Sequence, residues 1–199
     1  MRKTGLLGGS FDPVHLAHTA LADAACEALA LSELQLIPAA NPWQRPVLTA
    51  SPTHRLAMLE LAIASKPRLS VNPIEIERGG KTYTIDTLEQ LPDDTEYYWI
   101  IGADQLANFC TWHRWKEIVA RVHLVVAQRP GASTEAPVDL QRVLGKLGKA
   151  LTSLPFEASA ISASDIRRRL ANNLPCEGLI DDAVMRYIRQ HHLYGTPVA

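Results

Sequence analysis

The chain has 199 residues, 47% of them hydrophobic, with 20 basic and 21 acidic side chains and a formal net charge of −1 at pH 7. That length and apolar content suit one globular domain spanning residues 1–199, with a C-terminal helical part from about residue 160. A near-zero charge offers no bulk attraction to nucleic acid or to an anionic membrane, and no apolar run approaches the roughly 20 residues that a bilayer span requires.

A short strand around Gly5-Leu6-Leu7 opens the fold, too brief for the core of a signal peptide. Cys26, Cys110 and Cys176 are odd in number and far apart, which fits reduced thiols and a cytoplasmic location. Residues 8 to 18 then read Gly-Gly-Ser-Phe-Asp-Pro-Val-His-Leu-Ala-His, and a helix begins near Leu16 with Leu21, Ala24, Ala25, Ala28 and Leu29 at helical spacing. Leu34 to Pro38 is a short buried strand. Residues 39 to 50, with Pro42 and Pro46, form a lid-like loop. Ser51-Pro52 opens a second helix, serine as N-cap and proline at the first position, running through Met58, Leu59, Ala62 and Ile63.

Leu69 to Val71 and Ile74 to Ile76 are expected as strand, with Pro73 marking a break. Gly79-Gly80 is a turn, and Thr84 to Leu91 a brief helix capped by Thr84 or a neighbour. Tyr97 to Ile101 is the most strand-like run, followed at once by Gly102-Ala103-Asp104 and a helix. His123 to Ala127 is another buried strand. Leu140 to Leu151 is helical, Leu154 to Phe156 a last strand, and Ser164 to Leu170 and Asp182 to His191 two closing helices. Alternating strands and helices give an α/β fold, a Rossmann-like doubly wound parallel sheet with C-terminal helices. The loops after Leu7, Ile37, Ile101 and Ala127 then share one rim, where such sheets bind ligands.

The loop after the first strand carries the chemistry. Gly8 and Gly9 let a ligand approach the backbone, and free N–H groups at a helix N-terminus favour an anion. His15 and His18, three residues apart, share a face of the first turn. Glycines for a phosphate, with histidines for charge that grows on it, describe a nucleotide reaction site.

These residues resemble the nucleotidyltransferase superfamily marked by an HxGH signature, and within it the bacterial nicotinate-nucleotide adenylyltransferases. The resemblance rests on Gly8 to His15, the Met58 to Ala62 helix, Tyr83 to Leu88, Ile100 to Asp104, Thr111-Trp112, Arg129-Pro130, and Ile161 to Arg167. Position 17 is alanine where the signature has glycine, and Trp43-Gln44 stands where the family has proline and histidine. The resemblance implies adenylyl transfer from ATP, with Mg²⁺ accompanying the triphosphate, to nicotinate mononucleotide. His18, His15 and Arg167 are the implied catalytic groups. Gly8, Gly9, Ser10, Phe11, Gly102, Asp104, Ser162 and Ser164 join them around ATP, and Arg45, Thr84, Trp112 and His113 around the acceptor. No metal cage, nucleic acid or membrane partner is implied, and oligomeric state is not readable.

Plainer readings stand beside these. His15 and His18 lack a third group at ligand spacing for a metal. Trp112 is either a ligand stack or a core aromatic, while Trp99 and Trp115 read as packing. Asp104 also suits a helix cap, and Asp12 a turn-former bonded to local N–H groups. Arg168 and Arg169 read as solvated, and Tyr187, Ile188 and Leu193 as docking residues of the last helix. Rival functions are a sister adenylyltransferase for nicotinamide mononucleotide or phosphopantetheine, and a non-catalytic nucleotide sensor.

Overall fold

The computed structural model describes residues 2–42, 48–127, 135–156 and 160–197. In chain order the elements are β1 (Arg2–Gly9), α1 (Leu16–Ala28), β2 (Glu33–Pro38), β3 (Asn41–Pro42), α2 (Pro52–Ile63), β4 (Leu69–Val71), α3 (Ile74–Arg78), β5 (Lys81–Thr82) and α4 (Thr84–Leu88). They continue with β6 (Thr95–Gly102), α5 (Ala103–Ala107), a 3-10 turn (Phe109–Thr111), α6 (Trp115–Arg121), β7 (His123–Ala127), α7 (Val138–Lys146), β8 (Thr152–Leu154), α8 (Ala163–Ala171), α9 (Asp182–Gln190) and a final 3-10 turn (Leu193–Gly195).

Among the described residues six strands form one parallel sheet in the order β4-β2-β1-β6-β7-β8, the doubly wound arrangement expected. The chain order reverses between β1 and β6. Those two strands pair from Arg2↔Thr95 to Leu6↔Trp99, whereas β1 stays with β2 as far as Gly9↔Pro38 and β6 with β7 as far as Gly102↔Ala127. Beyond Leu6 the central strands therefore part, and a crevice opens at their C-terminal ends. Side-chain alternation divides the core by sheet face. Leu7, Leu36, Ile100 and Val125 pack with α1, α2 and the C-terminal helices, and Leu6, Ile37, Ile101 and Val126 with α4, α6 and α7.

Several local expectations need correction. Residues 74–76 are helical rather than strand: Asn72 Oδ1 accepts the Ile74 N–H at 3.1 Å, and Gly79 closes the other end at φ +67°. Pro73 lacks the N–H that an extended ladder needs, so the strand cannot continue. The helix after Gly102 is two, α5 and α6, separated by the Phe109–Thr111 turn. Helix α7 stops at Lys146 because Gly148 takes a left-handed φ of +63°, and the Lys149 N–H returns to Leu144 O at 2.9 Å. The last strand lies at Thr152–Leu154, two residues earlier than expected.

Other expectations meet the structure directly. Ser51 Oγ accepts the His54 N–H at 3.3 Å, capping α2 with Pro52 at its first position. Tyr187 docks α9 on α2, its hydroxyl 2.9 Å from His54 Nδ1, and Ile188 is fully buried. Among the described residues no helix is long and apolar enough to cross a membrane.

Candidate active site

At the parting of β1 and β6 lies a cleft of about 530 Å³. One wall is the loop after β1, with Gly8, Gly9, Ser10, His15, Ala17 and His18; Ser162, Ser164 and Arg167 of α8 stand over it. The opposite wall carries Glu75, Tyr83, Thr84, Trp112 and His113, and Gly102 and Asp104 close the side at the end of β6. Two imidazoles near the chain start and a guanidinium some 150 positions later thus meet in one space.

His15 is the N-cap residue of α1, and its backbone N–H donates to His18 Nδ1 at 3.2 Å. The two rings stack with centroids 3.7 Å apart and planes 20° apart. Burial lowers the His15 pKa to about 4, so this ring is neutral near pH 7. Its Nδ1 is buried with no hydrogen-bond partner among the described residues. Phe11 does not line the cleft: its side chain is 1% exposed and meets the His18 ring edge-on at 4.9 Å. A Cβ at Gly9 would stand 3.0 Å from that phenyl ring, so this glycine serves the loop's own packing as well as ligand approach. At Gly102, by contrast, a Cβ would meet nothing within 4 Å, and the space it leaves belongs to the cleft.

Asp12 does more than form a local turn. Its carboxylate is 2% exposed and accepts from Thr49 N–H at 2.7 Å, Ala50 N–H at 3.0 Å and the Tyr194 hydroxyl at 2.7 Å. Arg167 Nη1 donates to the Asp12 carbonyl at 2.6 Å, so α8 is fastened to the same loop. Behind it Arg55, fully buried, donates to Ser10 O at 2.8 Å, and burial pushes its pKa down. The sequence reading missed Arg55 and Tyr194. Arg55 could have been found, since it shares the helical face of Met58, Leu59 and Ala62, where a charge is out of place. Nothing local in the sequence singles out Tyr194.

On the other wall, Trp112 is both a packing residue and a lining residue of the cleft. It packs against Phe109 at 5.1 Å; Trp99 is a core residue that also reaches the cleft, and Trp115 packs on the core partly buried. His113 leans on the Tyr83 ring at 4.8 Å. Arg114, in left-handed conformation, bonds Glu89 at 2.7 Å, which ties the Trp112-His113 segment to the end of α4. Tyr83, not Thr84, occupies the N-cap of α4, and no side chain caps it. Gly102 likewise takes the cap position of α5, its N–H donating to Gln105 Oε1 at 3.1 Å, so Asp104 sits in the first turn instead. Ser162 caps α8 by accepting the Asp165 N–H at 3.2 Å. Arg168 and Arg169 both pair with Asp165, away from the residues that line the cleft. Arg45, Trp43, Gln44 and Arg129 lie outside the described residues.

Residues 6–169 match the family model described as Cytidylyltransferase-like. The chain belongs to that family. Among curated members, a Bordetella parapertussis protein named "Probable nicotinate-nucleotide adenylyltransferase" is 57% identical over 192 residues, covering 96% of this chain and 98% of its own. A Pseudomonas aeruginosa protein of the same name is 39% identical over 211 residues, 98% of this chain and 99% of its own. Among solved structures, Plasmodium falciparum nicotinic acid mononucleotide adenylyltransferase complexed with NaAD superposes with a TM-score of 0.79 over 100% of both chains, at 19% identity. At that identity the likeness speaks for the cytidylyltransferase-like fold alone.

Proposed function

We propose that this protein transfers the adenylyl group of ATP to nicotinate mononucleotide, giving nicotinate adenine dinucleotide (deamido-NAD) and pyrophosphate, a step in making NAD. The observation that carries the reading is convergence. An anion wall (Gly8 to Ser10, His15, His18, Ser162, Ser164, Arg167) and an aromatic-lined wall (Tyr83, Thr84, Trp112, His113) face one cleft in a member of a nucleotidyltransferase family. Named relatives 57% and 39% identical over nearly the whole chain support the same activity.

The acceptor's 5′-phosphate oxygen attacks the α-phosphorus in line. A P–O bond forms there, the α–β bridge breaks, and pyrophosphate leaves with the electron pair. No protein nucleophile is needed, so catalysis consists of alignment and of donors aimed at the growing charge. His18 Nδ1 accepts a backbone N–H, which places the neutral ring's proton on Nε2 as a donor. His15, stacked on that ring, is neutral by burial and adds no charge of its own. Arg167 clamps the outer phosphates together with the backbone and hydroxyls of Ser162 and Ser164 at the start of α8. Mg²⁺ enters as part of the substrate, bound to the triphosphate. Gly102 and Asp104 hold the adenosine ribose, Trp112 stacks on the pyridine ring, and backbone N–H groups at Thr84 and His113 receive its carboxylate.

A sister reaction with nicotinamide mononucleotide or phosphopantetheine uses the same anion wall with a different acceptor wall. Product analysis after mixing the protein with Mg·ATP and each acceptor decides: dinucleotide and pyrophosphate from the nicotinate form are expected. Tight ATP binding with no product from any acceptor identifies a sensor and overturns the reading.

A further inference from the structure

The acceptor wall holds a buried acid that adenylyl transfer does not use. Glu75 is 3% exposed yet lines the cleft beside Thr82, Tyr83 and Thr84. Its Oε1 accepts the Thr87 hydroxyl at 2.7 Å, and Thr87 in turn accepts from Arg78 Nη2 at 3.1 Å. Thr87 lies one turn along α4 from Thr84. The acid is therefore tied by that hydrogen bond to α4, the helix whose first residue, Thr84, lines the cleft. Arg78, on Glu75's own helix, acts on it through Thr87 and directly by its charge; Tyr83 and His113 are the other titratable groups among the described residues of this wall, and from β2, packed against α3, the neutral Gln35 bonds Asn72 at 2.8 Å.

We infer, on the reading just given, that Glu75 is a specificity-determining residue for the acceptor's ring substituent: its neutral carboxyl admits the acid form, and its carboxylate favours the amide. A carboxylate at this place repels a second carboxylate in the same cleft, whereas it attracts an amide N–H₂. Repulsion between two like charges sharing one partly buried cleft is worth roughly tenfold in binding. Burial pushes the Glu75 pKa up to about 7, against the opposing pull of Thr87 and Arg78, so the switch falls near neutral pH.

The test is the ratio of kcat/KM for nicotinate mononucleotide to that for nicotinamide mononucleotide between pH 5.5 and 8.5. Both acceptors share one phosphate and one ribose, so ionisations common to the two reactions cancel in the ratio. The ratio is expected to fall about tenfold across the range in the wild type and to stay level in Glu75→Gln. Thr87→Val removes a hydrogen bond that favours the carboxylate, so it shifts the midpoint to higher pH and serves even where the glutamine variant does not fold. A level ratio in the wild type, or a slope that survives Glu75→Gln, or an unmoved midpoint in Thr87→Val overturns the inference while leaving adenylyl transfer intact. Absence of dinucleotide from both acceptors overturns the functional reading itself.

Discussion

Tyr194 lies near the end of the chain, yet its hydroxyl donates to Asp12 Oδ1 at 2.7 Å, across 182 residues of sequence. Removing that hydroxyl as Tyr194→Phe keeps the ring, so no cavity opens and the loss is that of one hydrogen bond to a charged acceptor. Such bonds contribute about 1.5–3 kcal/mol. Oδ1 still accepts the Ala50 N–H at 3.0 Å and is not orphaned, which places the cost near the lower bound, about 1.5–2 kcal/mol. For a chain of this length each kcal/mol moves the melting point by about 2–4 °C, so Tm should fall by about 3–8 °C. Differential scanning calorimetry measures it, and a double-mutant cycle with Asp12→Asn isolates the pair. An unchanged Tm in Tyr194→Phe, or strict additivity in the cycle, refutes the idea that the C-terminal turn pins the loop after β1.

His18→Ala should lower kcat about 10²-fold or more while leaving the fold intact, as checked by steady-state rates alongside circular dichroism. Chelation of Mg²⁺ should abolish turnover and added Mg²⁺ restore it, with the melting point of the ligand-free protein unmoved throughout. In the pH dependence of stability, His15 and Glu75 act in opposite directions. The His15 pKa is lowered from 6.5 to about 4, so the unfolded chain binds more protons between those values and stability is lost as pH falls, roughly 3 kcal/mol in all. The Glu75 pKa is raised from 4.5 to about 7, so its contribution is full below pH 4.5 and lost as pH rises through 7, again roughly 3 kcal/mol. Between about pH 4.5 and 6.5 the two slopes offset each other. Glu75→Gln should therefore expose a steep rise in unfolding free energy with pH in urea titrations, and parallel curves for the two proteins would count against the assignment.

Much of the fold was legible because its signals are local. The β1 apolar run, the Ser51-Pro52 start of α2 and the Tyr97 to Ile101 run each report an element through residues that touch one another along the chain. Misreadings arose where a tertiary partner outweighs local preference. Ile74-Glu75-Ile76 alternates like a strand, yet it coils because Glu75 is drawn to Thr87 on a helix twelve residues away. Asp12 before Pro13 looks like a turn, yet its partners are Thr49, Ala50 and Tyr194.

Local patterning suffices for the doubly wound class, because alternating strands and helices report themselves through neighbours along the chain. Which side chains meet, and in what charge state, was decided only in three dimensions. The parting of β1 from β6 makes the cleft, and that depends on pairings between strands nearly a hundred residues apart. Burial keeps His15 uncharged and raises the Glu75 pKa, and burial is a property of neighbours brought from elsewhere in the chain. Arg55 and Tyr194 hold the loop after β1 from behind, through contacts that exist only once the sheet and the last helices have closed on each other.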